Sequence, residues 1–556
     1  MDLNFVQKDR AAGSLIGMAC GDALGAGYEF GSRVPFTTKV DMVGTGSSFA
    51  PGEWTDDTAM AIVIAEVAAT GIDLRETAAL DQICEGWRVW KQTAADVGIQ
   101  TSKVISRGGT PATADAYLKV AAELHAESQR TAGNGSLMRT APVALAFLDD
   151  RVAMAEAAAK ISSLTHFDPT AGDACVLWCE AIRVSVLTGE LTSPRAGIDL
   201  LPSDRQDFWN QVIDEAEAKQ PHEFKNNGWV ISAFQAAWSA IVNTGVPAFA
   251  PTLGLFPARQ LIAVLHRAVR VDNDTDTVAA IAGQLIGAAW GAGAVPAKWL
   301  TSIHGYPKYS AKDLTRLAIL TVQKGKPQPG GWPQFDVTNY QETDTEVSEL
   351  VTNLFISGQS ALENTDQFDV IVSLSRVGQV EGNKDFRNQL RVSVLDSHDR
   401  AMNPHLAQQF LDVSDFIEVN LKSGKKVLLH CVHAHTRTPS FAVAYLMRHR
   451  RMPFIVAIAE VIKHLPGADL HDPFGSVLKS LDDDWFEAGK GLKSGKLWET
   501  FEPNQLWLQH DKGWFLRQGG VWQDAKGSPD AVLSSAIWDQ VAEFDEAEAL
   551  GGLNSG

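Results

Sequence analysis

Two acidic stretches, far apart in the chain, carry the same chemistry. The first is Glu53-Trp54-Thr55-Asp56-Asp57-Thr58-Ala59-Met60, which runs into the apolar Ala61-Ile62-Val63-Ile64-Ala65. The second is Asp272-Asn273-Asp274-Thr275-Asp276-Thr277, which opens Val278-Ala279-Ala280-Ile281-Ala282-Gly283. Neighbouring ionised carboxylates repel, so burying them together is costly without a compensating cation or proton. Taken singly, each stretch reads as a helix start, because Thr and Asp cap helices and acids favour the first turn. Taken as a pair, each at a helix N-terminus, they can converge on one hard-cation site. Oxygen-only ligands suit Mg²⁺, Mn²⁺ or Ca²⁺ rather than zinc.

A second kind of chemistry stands at His430-Cys431-Val432-His433-Ala434-His435-Thr436-Arg437-Thr438, between the apolar Lys426-Val427-Leu428-Leu429 and the helical Pro439-Ser440-Phe441-Ala442-Val443-Ala444. Strand, loop and helix make an anion cradle, in which backbone N–H groups and the helix N-terminus face a phosphate. The same field lowers a cysteine's pKa and favours its thiolate. Arg437 can clamp a phosphate through two N–H bonds. Three histidines so close also invite a metal reading, but they surround a single cysteine in a phosphate-loop context.

Weaker signals lie between. Gly21-Asp22-Ala23-Leu24-Gly25, followed by Tyr28-Glu29, closes a stretch of small residues whose spacing lets helices approach closely. Gly133-Asn134-Gly135-Ser136-Leu137-Met138-Arg139 is a polar loop whose glycines permit positive φ and let N–H groups reach an anion or a sugar. In Leu164-Thr165-His166-Phe167, His166 alone reads as a capping or structural residue.

Helical periodicity must position the first set. It runs through Ala114 to His125, Arg151 to Leu164, Ala171 to Leu187, Trp229 to Val242 and Arg259 to Val271, with few period-two runs, so residues 1–325 read as all-α. Residues 326–344, with Gly325-Lys326-Pro327-Gln328-Pro329-Gly330-Gly331 at their start, read as a linker. In 345–481 short apolar runs alternate with helices such as Ala407 to Leu421. The runs are Leu354-Phe355-Ile356-Ser357-Gly358, Asp369-Val370-Ile371-Val372-Ser373-Leu374, Arg391-Val392-Ser393-Val394-Leu395 and Lys426 to His430. That alternation indicates an α/β domain with a mainly parallel sheet. Residues 482–556 form a small Trp-rich tail, with a hairpin expected over Lys512 to Trp522 and frayed residues from Glu543 on. The chain is therefore expected to be multidomain.

The helical stretches resemble the ADP-ribosylglycohydrolase family, which includes the dinitrogenase reductase-activating glycohydrolases. The matching pieces, in family order, are Gly21-Asp22-Ala23-Leu24-Gly25 with Glu29, Trp54 to Thr58, Gly133 to Arg139, Thr165-His166 and Asp274 to Gly283. The resemblance implies an all-helical fold and two divalent cations, Mg²⁺ or Mn²⁺. It implies Thr55, Asp56, Asp57, Asp274, Asp276 and Thr277 as ligands. Cleaving the bond at the anomeric carbon of ADP-ribose builds positive charge on the ribose. Cations that grip the ribose hydroxyls and a water, with Asp56 or Asp57 taking the water's proton, suit that reaction. Glu29 would border the metals. Gly133, Asn134, Gly135, Ser136, Met138, Arg139 and His166 would hold the substrate. Asp272-Asn273 departs from the small residues usual before the second motif.

The region from about Leu354 to Leu481 resembles the dual-specificity protein phosphatases. The implied roles are Cys431 as nucleophile, Arg437 as clamp, Asp396 in Leu395-Asp396-Ser397 as acid, Thr438 as a hydroxyl assisting departure of the thiolate, and His430 as orienter of the loop. Ala434 stands where that family usually carries glycine. The alternative to two enzymes is a binding module for ADP-ribose and phosphate, with the phosphatase-like half inactive.

At 556 residues the length favours about two to four domains. A formal charge of −19 argues against a broad nucleic-acid surface. Five sparse cysteines, with Cys175 and Cys179 one helical turn apart, argue against a disulfide framework. Neither a secretory leader nor an apolar run of membrane-spanning length is evident, so the cytoplasm is the expected compartment. The expected partners are an ADP-ribosylated and a phosphorylated protein or small molecule, with no membrane.

Overall fold

The computed structural model describes residues 2–35, 38–251, 254–326, 346–375 and 388–481, and, for the backbone alone, 482–487 and strands between 494 and 545. The described residues gather into two compact units, each treated by itself. One takes 2–244, 261–295 and 302–326; the other takes 245–260, 296–301 and the residues from 346 onward.

The first unit is helical, as its periodicity predicts. The expected helices appear as Ala114–Ser128, Arg151–Ser163, Pro169–Thr188, Val230–Val242 and Gln260–Val269. The unit is built around two others, Phe5–Gly25 and Thr275–Trp290. The first begins in a capping box, in which Asn4 accepts from the Gln7 N–H and Gln7 accepts from the Asn4 N–H. Nearly every residue of the second is buried. The two helices touch backbone to backbone. A Cβ on Gly21 would lie 2.1 Å from the Ala279 carbonyl oxygen, and one on Gly25 would lie 2.3 Å from Asp276 Cα. Only glycine allows that approach, and it sets the end of one helix against the start of the other. Trp178 ties a third helix to the pair by donating to the Ile281 carbonyl at 3.0 Å. A two-residue ladder, His304–Gly305 with Tyr309–Ser310, is the unit's one paired-strand element among the described residues.

The second unit holds a five-stranded sheet in the spatial order Ser348–Val351, Leu354–Ser357, Val427–His430, Val370–Ser373, Gln389–Arg391. The last four are parallel and the first pairs antiparallel. Val370–Ser373 and Val427–His430 are buried at every position, as central parallel strands require. The run expected as a strand from Arg391 to Leu395 is one only up to Arg391; beyond it Leu395 exchanges hydrogen bonds with the Asn403 side chain instead of a neighbouring strand. Helices Leu406–Lys422 and Arg437–His449 pack with the sheet around Phe410, Phe441 and Tyr445.

The tail forms a separate antiparallel sheet of five strands, ordered Val521–Asp524, Gly513–Gln518, Asn504–His510, Ser494–Phe501, Trp538–Asp545. The expected hairpin pairs Gln518 with Val521. The expectation of fraying from Glu543 fails for its first residues, which pair with the strand Ser494–Phe501 through Phe544↔Gly495 and Asp545↔Ser494. No helix among the described residues is long and apolar enough to cross a membrane.

Candidate metal centre and phosphate loop

Both acidic stretches open helices, but neither does so as a cap. Thr55 stands at the N-cap of Asp56–Ala68 and Asp274 at that of Thr275–Trp290, and neither side chain makes a capping hydrogen bond. They are engaged elsewhere. Thr55 Oγ1 lies 2.9 Å from Asp22 Oδ1, 3.3 Å from Asp57 Oδ2 and 3.5 Å from Asp276 Oδ2. Thr277 Oγ1 lies 3.4 Å from Asp57 Oδ2. Carboxylate oxygens of Asp22, Asp57 and Asp276 come within 4.8 Å of one another, as do those of Glu29, Asp274 and Asp276. Asp276 belongs to both sets. Asp56 stands outside them and accepts from the Gly98 N–H at 3.3 Å.

This arrangement is short of positive charge. A hydroxyl has one proton, and Thr55 places its own against Asp22, so its lone pairs face carboxylate oxygens of Asp57 and Asp276. Asp57 Oδ1 is buried with no hydrogen-bond partner. Burial and neighbouring carboxylates push Glu29 up to about 8 and Asp56 up to about 7. The same causes hold Asp57 and Asp276 well above the usual carboxylate range. An all-oxygen donor set with an unsatisfied buried carboxylate fits hard divalent cations.

Asp22, quoted in the sequence but assigned no role there, is central. Its two oxygens accept from the N–H and hydroxyl of both Thr55 and Thr58, at 2.6–3.0 Å, and it is fully buried. It therefore fixes the turn that aims Thr55 and Asp57. Asn227, unmarked by any pattern, does the same for the second stretch. It donates to the Asp272 carbonyl at 2.7 Å and accepts from the Asp274 N–H at 3.3 Å.

The glycine loop divides. Asn134 donates to Asp274 Oδ2 at 2.8 Å. Ser136 and Met138 are buried, Ser136 beside Ser162. Arg139 points inward. Its guanidinium lies 4.0 Å over the Trp87 ring and donates to Thr165 Oγ1 at 2.6 Å. Thr165 in turn lies 2.8 Å from His166 Nδ1. Burial, with Arg139 nearby, pushes His166 down to about 3, so the ring is neutral. It lies against Gly133 and Gly135, where added Cβ atoms would come within 3.2 and 3.0 Å of its atoms.

In the second unit the loop after Val427–His430 leads into Arg437–His449. Cys431 is buried at 1% exposure. His430 is pushed down to about 4, chiefly by burial; it donates through Nδ1 to the Cys431 carbonyl and accepts at Nε2 from Ser373. Arg437 Nη1 donates to the Leu374 carbonyl at 2.8 Å, and its Nε lies 3.5 Å from Asp396 Oδ2. Thr438 Oγ1 is directed at the Ser357 carbonyl, 3.3 Å away. Ala434, the residue out of family pattern, has φ +54°, in the left-handed region that favours glycine.

Comparison with known proteins follows the same division. Residues 5–329 match the family model described as ADP-ribosylglycohydrolase, and residues 354–467 match dual specificity phosphatase, catalytic domain. The chain is 28% identical over 302 residues to ADP-ribosylarginine hydrolase Tri1 of Serratia proteamaculans (strain 568), covering 53% of this chain and 75% of that protein. It is 26% identical over 302 residues to the ADP-ribosyl-dinitrogen-reductase glycohydrolase of Rhodospirillum rubrum, covering 53% and 90%. Its second half is 28% identical over 118 residues to tyrosine-protein phosphatase vhp-1 of Caenorhabditis elegans, covering 20% of this chain and 17% of that protein.

Proposed function

The chain belongs to the ADP-ribosylglycohydrolase family, and from that premise we propose that its first half releases ADP-ribose from a modified acceptor while its second half is a cysteine-dependent phosphatase. The observation that carries the first reading is the convergence of Asp57, Glu29, Asp274 and Asp276 from both ends of the unit. These carboxylates, with Thr55, Thr277 and Asp56 beside them, would hold two divalent cations, Mg²⁺ or Mn²⁺. Bound there, the cations supply a grip on the ribose hydroxyls and a polarised water.

The chain's own residues do the rest. Asp56, beside the cation-binding carboxylates and held by the Gly98 N–H, takes the proton of the attacking water. The electron pair of the broken glycosidic bond leaves with the acceptor atom, which takes up that proton. Asn134 steadies Asp274, and His166 presents its Nε2 edge to the substrate beside Gly133 and Gly135. The acceptor we favour is a guanidinium. Asp96 and Asp56 lie near enough to Glu29 to raise its proton affinity, and a cationic acceptor suits such a rim. The test is mass spectrometry of products from arginine-, serine- and nucleotide-linked ADP-ribose. Release from the arginine conjugate is expected, and release from the others alone would remove the guanidinium reading.

In the second half, the Cys431 thiolate attacks phosphorus and the bond to the leaving oxygen breaks as Asp396 protonates it. Water then cleaves the thiophosphate and returns a proton to Asp396, with Thr438 assisting departure of the sulfur and Arg437 holding the phosphate oxygens. The substrate is a phosphorylated protein or small molecule. One observation favours the competing view, a phosphate reader without turnover: the left-handed backbone of Ala434. Replacing it by glycine relieves about 1–2 kcal/mol of strain. Ala434→Gly is therefore expected to raise stability in urea unfolding and to preserve or increase turnover of para-nitrophenyl phosphate. Turnover absent from the native chain and gained only in Ala434→Gly would establish the reader.

A further inference from the structure

Asp396 sits on an exposed loop, its side chain 37% accessible, so packing alone does not aim it. Its aim comes from His471. Imidazole Nε2 lies 2.9 Å from Asp396 Oδ1, and Nδ1 lies 2.7 Å from the Asp472 carbonyl oxygen. The ring is fixed on two further sides, against the His398 ring, tilted by 32° at 3.9 Å between centroids, and edge-on to Phe474 at 5.6 Å. Asp396 is left with Oδ2 toward Arg437 Nε, 3.5 Å away.

The hydrogen-bond roles are constrained. A carbonyl oxygen only accepts, so Nδ1 carries a proton. Were Asp396 an anion and Nε2 bare, the 2.9 Å contact would set acceptor against acceptor. The contact therefore contains one proton, on the carboxylic acid or on Nε2. That is the proton an acid at this position must have in hand. The charged and titratable groups facing the pair are Arg437, His433 and His398 from neighbouring segments, and Asp469 from its own.

We propose that His471 is a positioning residue for Asp396, holding one carboxyl oxygen and sharing the proton that Asp396 delivers to the leaving group. When the phosphorus–oxygen bond breaks, that proton passes to the leaving oxygen. The water that later cleaves the thiophosphate returns one to the pair. His471 matters only if the second half turns over phosphate esters, so the inference rests on that reading.

The test compares para-nitrophenyl phosphate, whose nitrophenolate departs with little help, with phenyl phosphate, whose phenolate needs a proton. Full-length His471→Gln and His471→Ala are expected to lose about tenfold in kcat on phenyl phosphate, a part of the range a general acid supplies. The loss on the nitrophenyl ester is expected to be clearly smaller, with KM unchanged for both. Adding His471→Gln to Asp396→Asn should cost nothing more on phenyl phosphate, because His471 acts only through Asp396. Equal losses on both esters, no loss, or additive losses would overturn the role of His471. A wild-type chain lacking Cys431-dependent turnover of either ester would overturn the phosphatase reading first, and the role of His471 with it.

Discussion

At the scale of the residue, the candidate metal centre is governed by proton affinity. Glu29 is pushed from 4.5 to about 8 and Asp56 from 3.8 to about 7, by burial first and by neighbouring carboxylates next. The folded chain thus binds protons more tightly than the unfolded one between pH ~4 and ~8, and stability falls as pH rises through that window. In chelator, the melting temperature of the first unit is expected to be lower at pH 8 than at pH 5. Added Mn²⁺ should raise it more at pH 8, where the carboxylates are bare. Equal melting temperatures in chelator, with no effect of Mn²⁺, would deny the cluster. Much of this centre was legible in sequence, because paired acids and hydroxyls at two helix starts are an unusual pattern. Asp22 was harder to see. It lies among small residues that packing alone explains, and only the fold shows its four hydrogen bonds. Asn227 sits in a polar loop with no periodicity, so nothing marked it. Arg139, which the resemblance assigns to the substrate, is buried on Trp87 through contacts that no local pattern announces.

At the scale of the element, the centre depends on how closely two helices approach. Gly13 and Gly17 of Phe5–Gly25 meet Gly287 and Gly283 of Thr275–Trp290, with Gly21 against Ala279 beyond them. This register brings Asp22 and Asp276, far apart in sequence, to one place. A methyl group at Gly21 has no room, since its Cβ would lie 2.1 Å from a carbonyl oxygen. Gly21→Ala is expected to cost about 1–3 kcal/mol in urea unfolding, as overpacking does, and to weaken Mn²⁺ binding. Gly228→Ala, whose Cβ would meet nothing within 4 Å, should leave stability nearly unchanged. Equal effects of the two would mean that helix contact does not set the site. The long helices were readable because a period of 3.6 persists over many residues. Short strands were less so. Ser348–Val351 is an edge strand of four residues with mixed polarity, and no alternation singled it out. The apolar run beyond Arg391 is held by Asn403, a long-range partner that no local pattern announces.

At the scale of the whole molecule, the proposed function gives each half its own chemistry, one dependent on oxygen ligands and the other on a thiolate. Chelation should silence only the first and Cys431→Ser only the second. The central claim is that the acidic stretches of the helical half share cations and that these release ADP-ribose. The most direct measurement is the release of free ADP-ribose from ADP-ribosylated arginine by the full chain and by Asp276→Asn, in chelator and after Mg²⁺ or Mn²⁺ is restored. The account predicts release by the wild type with cation present, none in chelator, and a loss of about a hundredfold or more in Asp276→Asn with cation restored. Undiminished release in chelator, together with full activity of Asp276→Asn, would contradict it.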